Sequence, residues 1–266
     1  MPKLNGKRVL ITGAAAGIGL CTARAFAKQG AVLVLTDIDA DGLEAARAEL
    51  EALGTRVTIF VVDVSKRDQV EAMAAAVLEQ GPLDVLINNA GIGHHGDLID
   101  TPLETWKRLV DVNLWGVLHN VYAFLPAMKA RGQGQIVNVS SGQAFFQLPT
   151  WGAYSAVKAG VGVFSEILSF EVRKYGIYVT TVYPFMVNTG FYDEVEGGSF
   201  GSRMSMKLLP LYSQKPQTVG RIIYQAVRKR RRIEMVHVIN NVGRVMRFSR
   251  PVGGLVSRLT NLVLAS

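Results

Sequence analysis

The sequence predicts a single α/β domain built on a doubly wound parallel sheet, followed by a C-terminal amphipathic extension. Three observations carry this. Short apolar runs rich in Val, Ile and Leu alternate with stretches of helical periodicity from residue 7 to about 239, the pattern of a parallel sheet covered on both faces. The first run passes through a glycine-rich turn straight into a helix, as dinucleotide-binding folds do. No linker-like shift in composition divides the 266 residues, 49% of which are hydrophobic, ample for one large core.

Lys7-Arg8-Val9-Leu10-Ile11-Thr12 reads as the first strand, Gly13-Ala14-Ala15-Ala16-Gly17-Ile18-Gly19 as the turn, and a helix follows to about Gln29. Glycines let a backbone approach a pyrophosphate, and a helix N-terminus offers unpaired N–H groups and a favourable dipole. The spacing is G-x-x-x-G-x-G rather than the commoner G-x-G-x-x-G, and packing alone would also use such residues. Gly30 ends the helix and Ala31–Thr36 forms the second strand, with Asp37 at its end. A carboxylate there accepts hydrogen bonds from ribose hydroxyls and repels a 2′-phosphate. No Arg or Lys lies in the glycine turn, so NAD is expected over NADP. Asp37 could also cap the helix that starts near Asp39.

Alternation continues with a helix at about 40–53, a strand over Arg56–Val62 closed by Asp63-Val64, a helix at about 66–80 and a strand over Leu83–Ile87. Gly13, Asp37, Asp63 and Asn88 follow strands, so they converge on the carboxyl edge of the sheet, where such folds bind ligands. After Asn88-Asn89-Ala90-Gly91, a long helix is expected from about Leu103 to Arg131, with Asn113 inside it. A mid-helix asparagine is mildly unfavourable and usually has a reason. Gln135–Ser141 is the fifth strand. Pro149 precedes a helix that runs from about Trp151 to Tyr175 and carries Tyr154 and Lys158. Residues four apart share a helix face. An ammonium there favours the phenolate and lowers the pKa of the phenol, so Tyr154 can exchange protons with an alcohol or ketone.

Taken together, Thr12-Gly13-x3-Gly17-Ile18-Gly19, Asn88-Asn89-Ala90-Gly91, Asn113, Ser141 and Tyr154-x3-Lys158 resemble the short-chain dehydrogenase/reductase family, in its soluble branch. The match covers about residues 5–240 in order and spacing. The resemblance implies a Rossmann-type NAD-binding catalytic domain over residues 1–240 and a catalytic tetrad of Asn113, Ser141, Tyr154 and Lys158. Ser141 would hold the substrate oxygen beside Tyr154, and Asn113 would anchor a water linking Lys158 to solvent. Lys158 would also bind the nicotinamide ribose. The implied cofactor positions are Gly13, Gly17, Ile18, Gly19, Asp37, Asp63, Val64, Asn89, Ala90, Gly91, Tyr154, Lys158, Pro184, Val187 and Thr189. Pairing of the helices at about 103–131 and 151–175 across a two-fold axis implies a homodimer or homotetramer.

Ile177–Val182 is the sixth strand, and Tyr183-Pro184-Phe185-Met186-Val187-Asn188-Thr189 follows. Phe185 stands where the family usually has glycine, which puts the local backbone path in doubt. Residues 187–212 are implied to lid the substrate site. With Phe145, Trp151, Phe185, Met186, Phe191 and Tyr192, they suggest an apolar pocket, although each of these side chains could equally fill core. A helix over Thr218–Arg228 and a seventh strand over Ile233–Ile239 complete the order.

The net charge of +8 is unevenly spread: residues 1–202 carry −4 and residues 203–266 carry +12. Arg228–Arg232 reads as a solvated basic turn, since no aromatics interleave and a nucleic-acid role lacks support. Residues 241–266 place Val242, Val245, Met246, Leu255, Val256, Leu259, Leu262 and Val263 at helical spacing among four arginines. Such a basic amphipathic segment can contact an anionic membrane surface peripherally, a second subunit or the chain's own lid. The single cysteine, Cys21, fits a reducing compartment, no N-terminal apolar run reads as a signal peptide, and a cytoplasmic protein is expected. His94-His95 reads as loop polar groups, and no metal site is expected. The function read from these features is NAD-dependent hydride transfer to or from a lipophilic (steroid-, retinoid- or acyl-like) secondary alcohol or ketone, with two rivals: epimerase or dehydratase chemistry on the same fold, and a dinucleotide sensor without turnover.

Overall fold

Val9 and Ile11 are buried in one apolar cluster and Leu10, between them, in another. Successive strand side chains point to opposite faces, so this run has to be covered on both sides. The same division holds one strand over, with Leu33 and Leu35 in the first cluster and Val34 in the second. The computed structural model describes residues 4–146, 148–189, 213–237, 239–241 and 243–244.

Seven strands form one sheet: β1 (Arg8–Thr12), β2 (Val32–Asp37), β3 (Val57–Val61), β4 (Val85–Asn88), β5 (Gly134–Val139), β6 (Ile177–Tyr183) and β7 (Ile233–Met235). Their order is β3-β2-β1-β4-β5-β6-β7, and every pairing is parallel. Helices α1 (Gly17–Ala27), α2 (Ala40–Ala52), α3 (Arg67–Glu79), α4 (Leu103–Val110), α5 (Gly116–Arg131), α6 (Gly152–Glu171) and α7 (Pro216–Arg228) surround it. Phe26 of α1, Leu43 and Leu50 of α2 and Ile223 of α7 join the first cluster. Val70 and Val77 of α3, Val121 and Phe124 of α5 and Val161 of α6 join the second. Each fully buried side chain of this kind contributes roughly 1.5–3 kcal/mol. The chain winds in opposite directions from β1 and β4, which opens a crevice at the carboxyl ends of those strands.

The structure departs from the sequence reading in several places. The stretch from Leu103 to Arg131 is two helices joined by a five-residue π-helical turn, Asp111–Trp115. β7 is shorter than expected, ending at Met235. Helix α6 ends at Glu171, and a 3₁₀ turn over Arg173–Tyr175 leads to Gly176 at φ 73°. Helix α7 begins earlier than expected, with Pro216 in its first turn, where its missing N–H costs nothing. Asn240 is fully buried and donates from Nδ2 to Tyr183 O at 2.6 Å, while Gly243 lies against the Phe146 ring. The packed body therefore includes residues on both sides of position 240. Phe191, Tyr192, residues 190–212 of the expected lid and residues 245–266 of the expected amphipathic segment lie outside the described residues. Among the described residues no helix is long and apolar enough to cross a membrane.

Candidate active site

The glycine turn owes part of its composition to the protein's own contacts. A Cβ on Gly13 would sit 2.8 Å from Ala90 Cα, and one on Gly19 would strike Gly13 O. Gly13 and Gly17 also hold φ of 65° and 55°, the left-handed region that favours glycine. Packing thus accounts for Gly13 and Gly19. The case for an anion rests on the helix behind them. The N-cap of α1 is Ala16, no side chain caps it, and no acidic residue stands in its first turn. The amides at Gly17, Ile18 and Gly19 keep the positive end of the dipole uncompensated, which is what a pyrophosphate needs.

Asp37 closes β2 and turns its carboxylate back toward that loop: Oδ2 accepts Ala15 N–H at 3.0 Å and Oδ1 accepts Ile38 N–H at 2.8 Å. It does not cap α2. Asp39 does, accepting Gly42 N–H at 3.0 Å. Asp63 accepts Ser65 N–H at 2.9 Å in the turn after β3, and Val64 packs on Gly116, where a Cβ would meet its side chain at 2.7 Å. From the β4 side, Asn89 donates from Nδ2 to Thr12 O and Gly13 O, both at 3.0 Å, while Asn89 N and Ala90 N bond Thr12 Oγ1 at 3.0 and 2.9 Å. On the far side, Thr189 lies against Gly17: a Cβ there would be 3.3 Å from the threonine methyl. The sequence-derived positions on β1, β2, β4 and the segment after β6 thus frame one crevice, and its uncapped helix N-terminus and the Asp37 carboxylate fit a dinucleotide.

The four expected catalytic residues come from three elements. Asn113, fully buried, lies on the π turn, a distortion frequent at functional sites. Its Oδ1 accepts Ile92 N–H at 3.2 Å, and its Nδ2 donates to Ile92 O and Leu109 O at 3.0 and 3.1 Å. Gly91 is small because a Cβ would lie 2.6 Å from Asn113 Oδ1 and 3.1 Å from Lys158 Nζ. Ser141 follows β5 in extended backbone and accepts Gln143 N–H at 3.2 Å, capping a 3₁₀ turn over Gly142–Ala144. Tyr154 and Lys158 are both buried on α6, with the ammonium 5.9 Å from the centre of the tyrosine ring. Lys158 Nζ donates to Val139 O at 3.2 Å, and Ser140 Oγ donates to Lys158 O at 2.7 Å. These bonds tie α6 to the end of β5. Burial lowers the Lys158 pKa to about 8, since a low dielectric disfavours the charged form.

The segment after β6 resolves the question raised by Phe185. The left-handed residue is Met186, at φ 43°, and Phe185 is not among the positive-φ residues. Phe185 turns its ring toward Phe146 and His237, with centroids 5.3 and 6.2 Å away. Gly142 makes room for it, as a Cβ there would be 2.7 Å from Phe185 Cδ2. Pro184 O accepts Gly142 N–H at 2.6 Å. Val187 is buried in the first apolar cluster and bridges Gln214. Of the expected pocket residues, Trp151 packs edge-on to Tyr154 at 5.9 Å, and Phe145 packs on Tyr183 at 4.7 Å.

Sequence reasoning missed several groups. Asn138 bridges Asn88 Nδ2 at 2.8 Å and Ser165 Oγ at 2.9 Å, a buried amide link between β4, β5 and α6. His95, read from the sequence only as a loop polar group, is buried. The basic turn does have aromatic partners, drawn from elsewhere in the chain. Arg173 and Arg230 lie over the Tyr178 ring at 3.9 and 4.2 Å, and Arg232 lies over Phe170 at 4.5 Å. These contacts sit at the amino ends of β6 and β7, across the sheet from the crevice. Among the described residues no group of His, Cys, Asp or Glu could hold a metal ion.

Comparison with known proteins agrees with this architecture. The short chain dehydrogenase family matches residues 7–198. A protein named "Probable oxidoreductase EphD" from Mycobacterium tuberculosis is 38% identical over 240 residues, covering 86% of this chain and 40% of its own length. The chain thus spans well under half of that longer relative. A short-chain dehydrogenase/reductase from Burkholderia phymatum, solved in complex with NAD, superposes with a TM-score of 0.87 at 29% identity over 94% of this chain and 95% of that one. An alcohol dehydrogenase from Thermococcus sibiricus, complexed with 5-hydroxy-NADP, gives 0.75 at 28% identity over 87% and 95%. With the family match spanning most of the chain and the fold shared almost end to end, this protein belongs to the short-chain dehydrogenase family.

Proposed function

We propose that the chain is an oxidoreductase that transfers a hydride between NAD, in preference to NADP, and a secondary alcohol or ketone with an apolar body. The observation that carries this reading is the buried Lys158 ammonium beside the Tyr154 ring, with Gly91 kept small so that Asn113 and Lys158 converge. A nicotinamide dinucleotide, when bound, supplies the hydride acceptor for alcohol oxidation and the donor for ketone reduction. Tyr154 takes the hydroxyl proton in the first direction and returns it in the second. Lys158 holds the phenol toward its ionised form, and Ser141 orients the substrate oxygen. Asn113 holds the loop after β4 and anchors the water through which Lys158 exchanges protons with solvent.

The cofactor would lie with its pyrophosphate at Gly13, Gly17, Ile18 and Gly19, and its adenosine side at Asp37, Asp63 and Val64. Asn89, Ala90, Gly91, Tyr154 and Lys158 would line its middle, with Pro184, Val187 and Thr189 at the carboxamide. The preference for NAD is supported by Asp37 and the neighbouring Asp39, with no basic side chain in the glycine turn. An apolar substrate is supported by Trp151, which packs against Tyr154 in a cluster with Leu109 and Val157. A homodimer through α5 and α6 is supported by the exposed apolar side chains Tyr122, Val163, Ile167 and Phe170 on those helices and Trp115 on the π turn just before α5.

The test is a panel of steroid, retinoid, acyl and small secondary alcohols assayed with NAD, on wild type and Tyr154→Phe. Turnover by wild type, lost by at least about tenfold in Tyr154→Phe with NADH binding retained, is the expected result. A Tyr154→Phe enzyme that kept its rate would remove Tyr154 as the acid–base group.

A further inference from the structure

Thr150, which immediately precedes the α6 N-cap residue Trp151, holds φ at 68°. For a β-branched residue this is an outlier, and such strain persists only where the surroundings over-determine it, most often at functional sites. Here the surroundings are the loop after β4. Gly96 N–H donates to Thr150 O at 2.8 Å, and His95 Nε2 lies 2.7 Å from Thr150 Oγ1. Thr150 Oγ1 also donates its proton to Pro149 O. A hydroxyl has one proton to give and two lone pairs, so Thr150 Oγ1 can pair with Nε2 in either direction, as the imidazole tautomer allows.

The clasp leads directly to the chemistry. The His95 ring packs edge-on to Trp151 at 5.1 Å, and Trp151 packs edge-on to Tyr154 at 5.9 Å. His95 is 4% exposed, so the imidazole was taken out of water to make these contacts. Leu98 of the same loop fills the space left by Gly152, where a Cβ would lie 2.6 Å away. The start of α6 is thus held from the β4 loop one turn before the tyrosine.

We propose that His95 is a positioning residue: by holding Thr150 in its left-handed conformation it fixes Trp151 against Tyr154, and so sets the wall against which the alcohol is aligned. This rests on the oxidoreductase reading above, and it adds a residue outside the expected tetrad.

The experiment measures kcat and KM for the best alcohol of the panel, together with NADH affinity, in full-length His95→Ala, His95→Gln and Thr150→Val. His95→Ala is expected to lower kcat/KM at least about tenfold, as small misplacements near reacting groups do, with the NADH dissociation constant unchanged within about twofold. His95→Gln, which returns an N–H donor near the position of Nε2, is expected to recover most of the loss. Should His95→Ala fail to fold, Thr150→Val keeps the shape and removes the hydroxyl, and is judged by the same numbers. A wild-type kcat/KM in the alanine and valine variants overturns the proposal, and so does a parallel loss of NADH affinity. If wild type turns over no alcohol, the oxidoreductase reading fails, and the clasp is judged instead by Trp151 emission in a Trp106→Phe/Trp115→Phe background. A shift in His95→Ala that His95→Gln reverses supports it, and unchanged emission refutes it.

Discussion

Replacing Lys158 with methionine is expected to stabilise the folded protein at neutral pH while ending turnover. Burial lowers the Lys158 pKa from 10.5 to about 8, a displacement worth about 3 kcal/mol against the folded state when the group is charged. The side chain is 3% exposed, so solvent screening does little to reduce this. Methionine has a similar length and no charge to desolvate. Against the gain stands the lost hydrogen bond to Val139 O, worth about 1 kcal/mol. The net expectation is a gain of about 2 kcal/mol, or about 4–8 °C in Tm for a chain of this size.

The pH dependence separates this cause from better packing. The folded-state pKa lies below the unfolded one, so between about 8 and 10.5 the unfolded chain binds the additional proton. Wild-type stability therefore gains from this group as pH rises through that window, and the full penalty stands below pH 8. Urea unfolding of the cofactor-free proteins at pH 7 and pH 10.5, at equal protein concentration, would show the variant ahead at pH 7 and its lead gone at pH 10.5. Comparing the two proteins cancels the other alkaline titrations. A variant less stable than wild type at pH 7, or one whose advantage is the same at both pH values, would refute the desolvation account.

Two further outcomes follow from the site and the surface. NAD(H) is expected to bind more tightly than NADP(H) by roughly 1–3 kcal/mol if one charge repulsion decides it. Asp37→Asn should narrow that gap while still accepting Ala15 N–H, and equal affinities in wild type, measured by fluorescence titration, would refute the assignment. Light scattering at micromolar concentration should find at least a dimer, and Ile167→Glu, which puts a charge on the exposed face of α6, should shift it toward monomer. A wild-type monomer would remove that face as the subunit contact.

The alternation of strands and helices was legible because most of the strands are apolar runs bounded by a glycine or a carboxylate, and burial on both faces of the central ones leaves no other use for such runs. The closeness of Tyr154 and Lys158 was legible because they are one helical turn apart, while Asn113 and Ser141 were singled out by the family resemblance and not by local pattern. The π turn was not, since apolar periodicity continues through Asp111–Trp115 and only the backbone bonding changes. Phe185 looked like a misfit because the family's glycine there lets the backbone come close to a ligand; the path actually taken, with its left-handed residue at Met186 and the Phe185 ring beside Phe146, could not be read from the sequence. The packing of Asn240 and Gly243 was also hidden. Its contacts are an amide on Tyr183 O and a glycine on the Phe146 ring, neither of which gives an apolar signal. The burial of His95 depends on a threonine 55 positions away, a pairing no local pattern encodes.

The glycines show how function and packing share residues in this chain. Gly13 and Gly19 would be needed for the protein's own contacts even without a ligand, so a glycine count alone says little about cofactor binding. Gly91 is different in kind. Its missing Cβ lets Asn113 Oδ1 and Lys158 Nζ approach a common point, and each of those groups is already held by backbone carbonyls or amides: Asn113 by Ile92 and Leu109, Lys158 by Val139. A buried ammonium costs stability, and fixed polar groups around it yield catalytic benefit only if they need not reorganise during reaction. The bonds from three separate elements meet that condition before any substrate arrives. On the proposed reading, the expense of burying Lys158 is the cost of a preorganised proton-transfer site, so removing the charge should improve the fold and end the chemistry together.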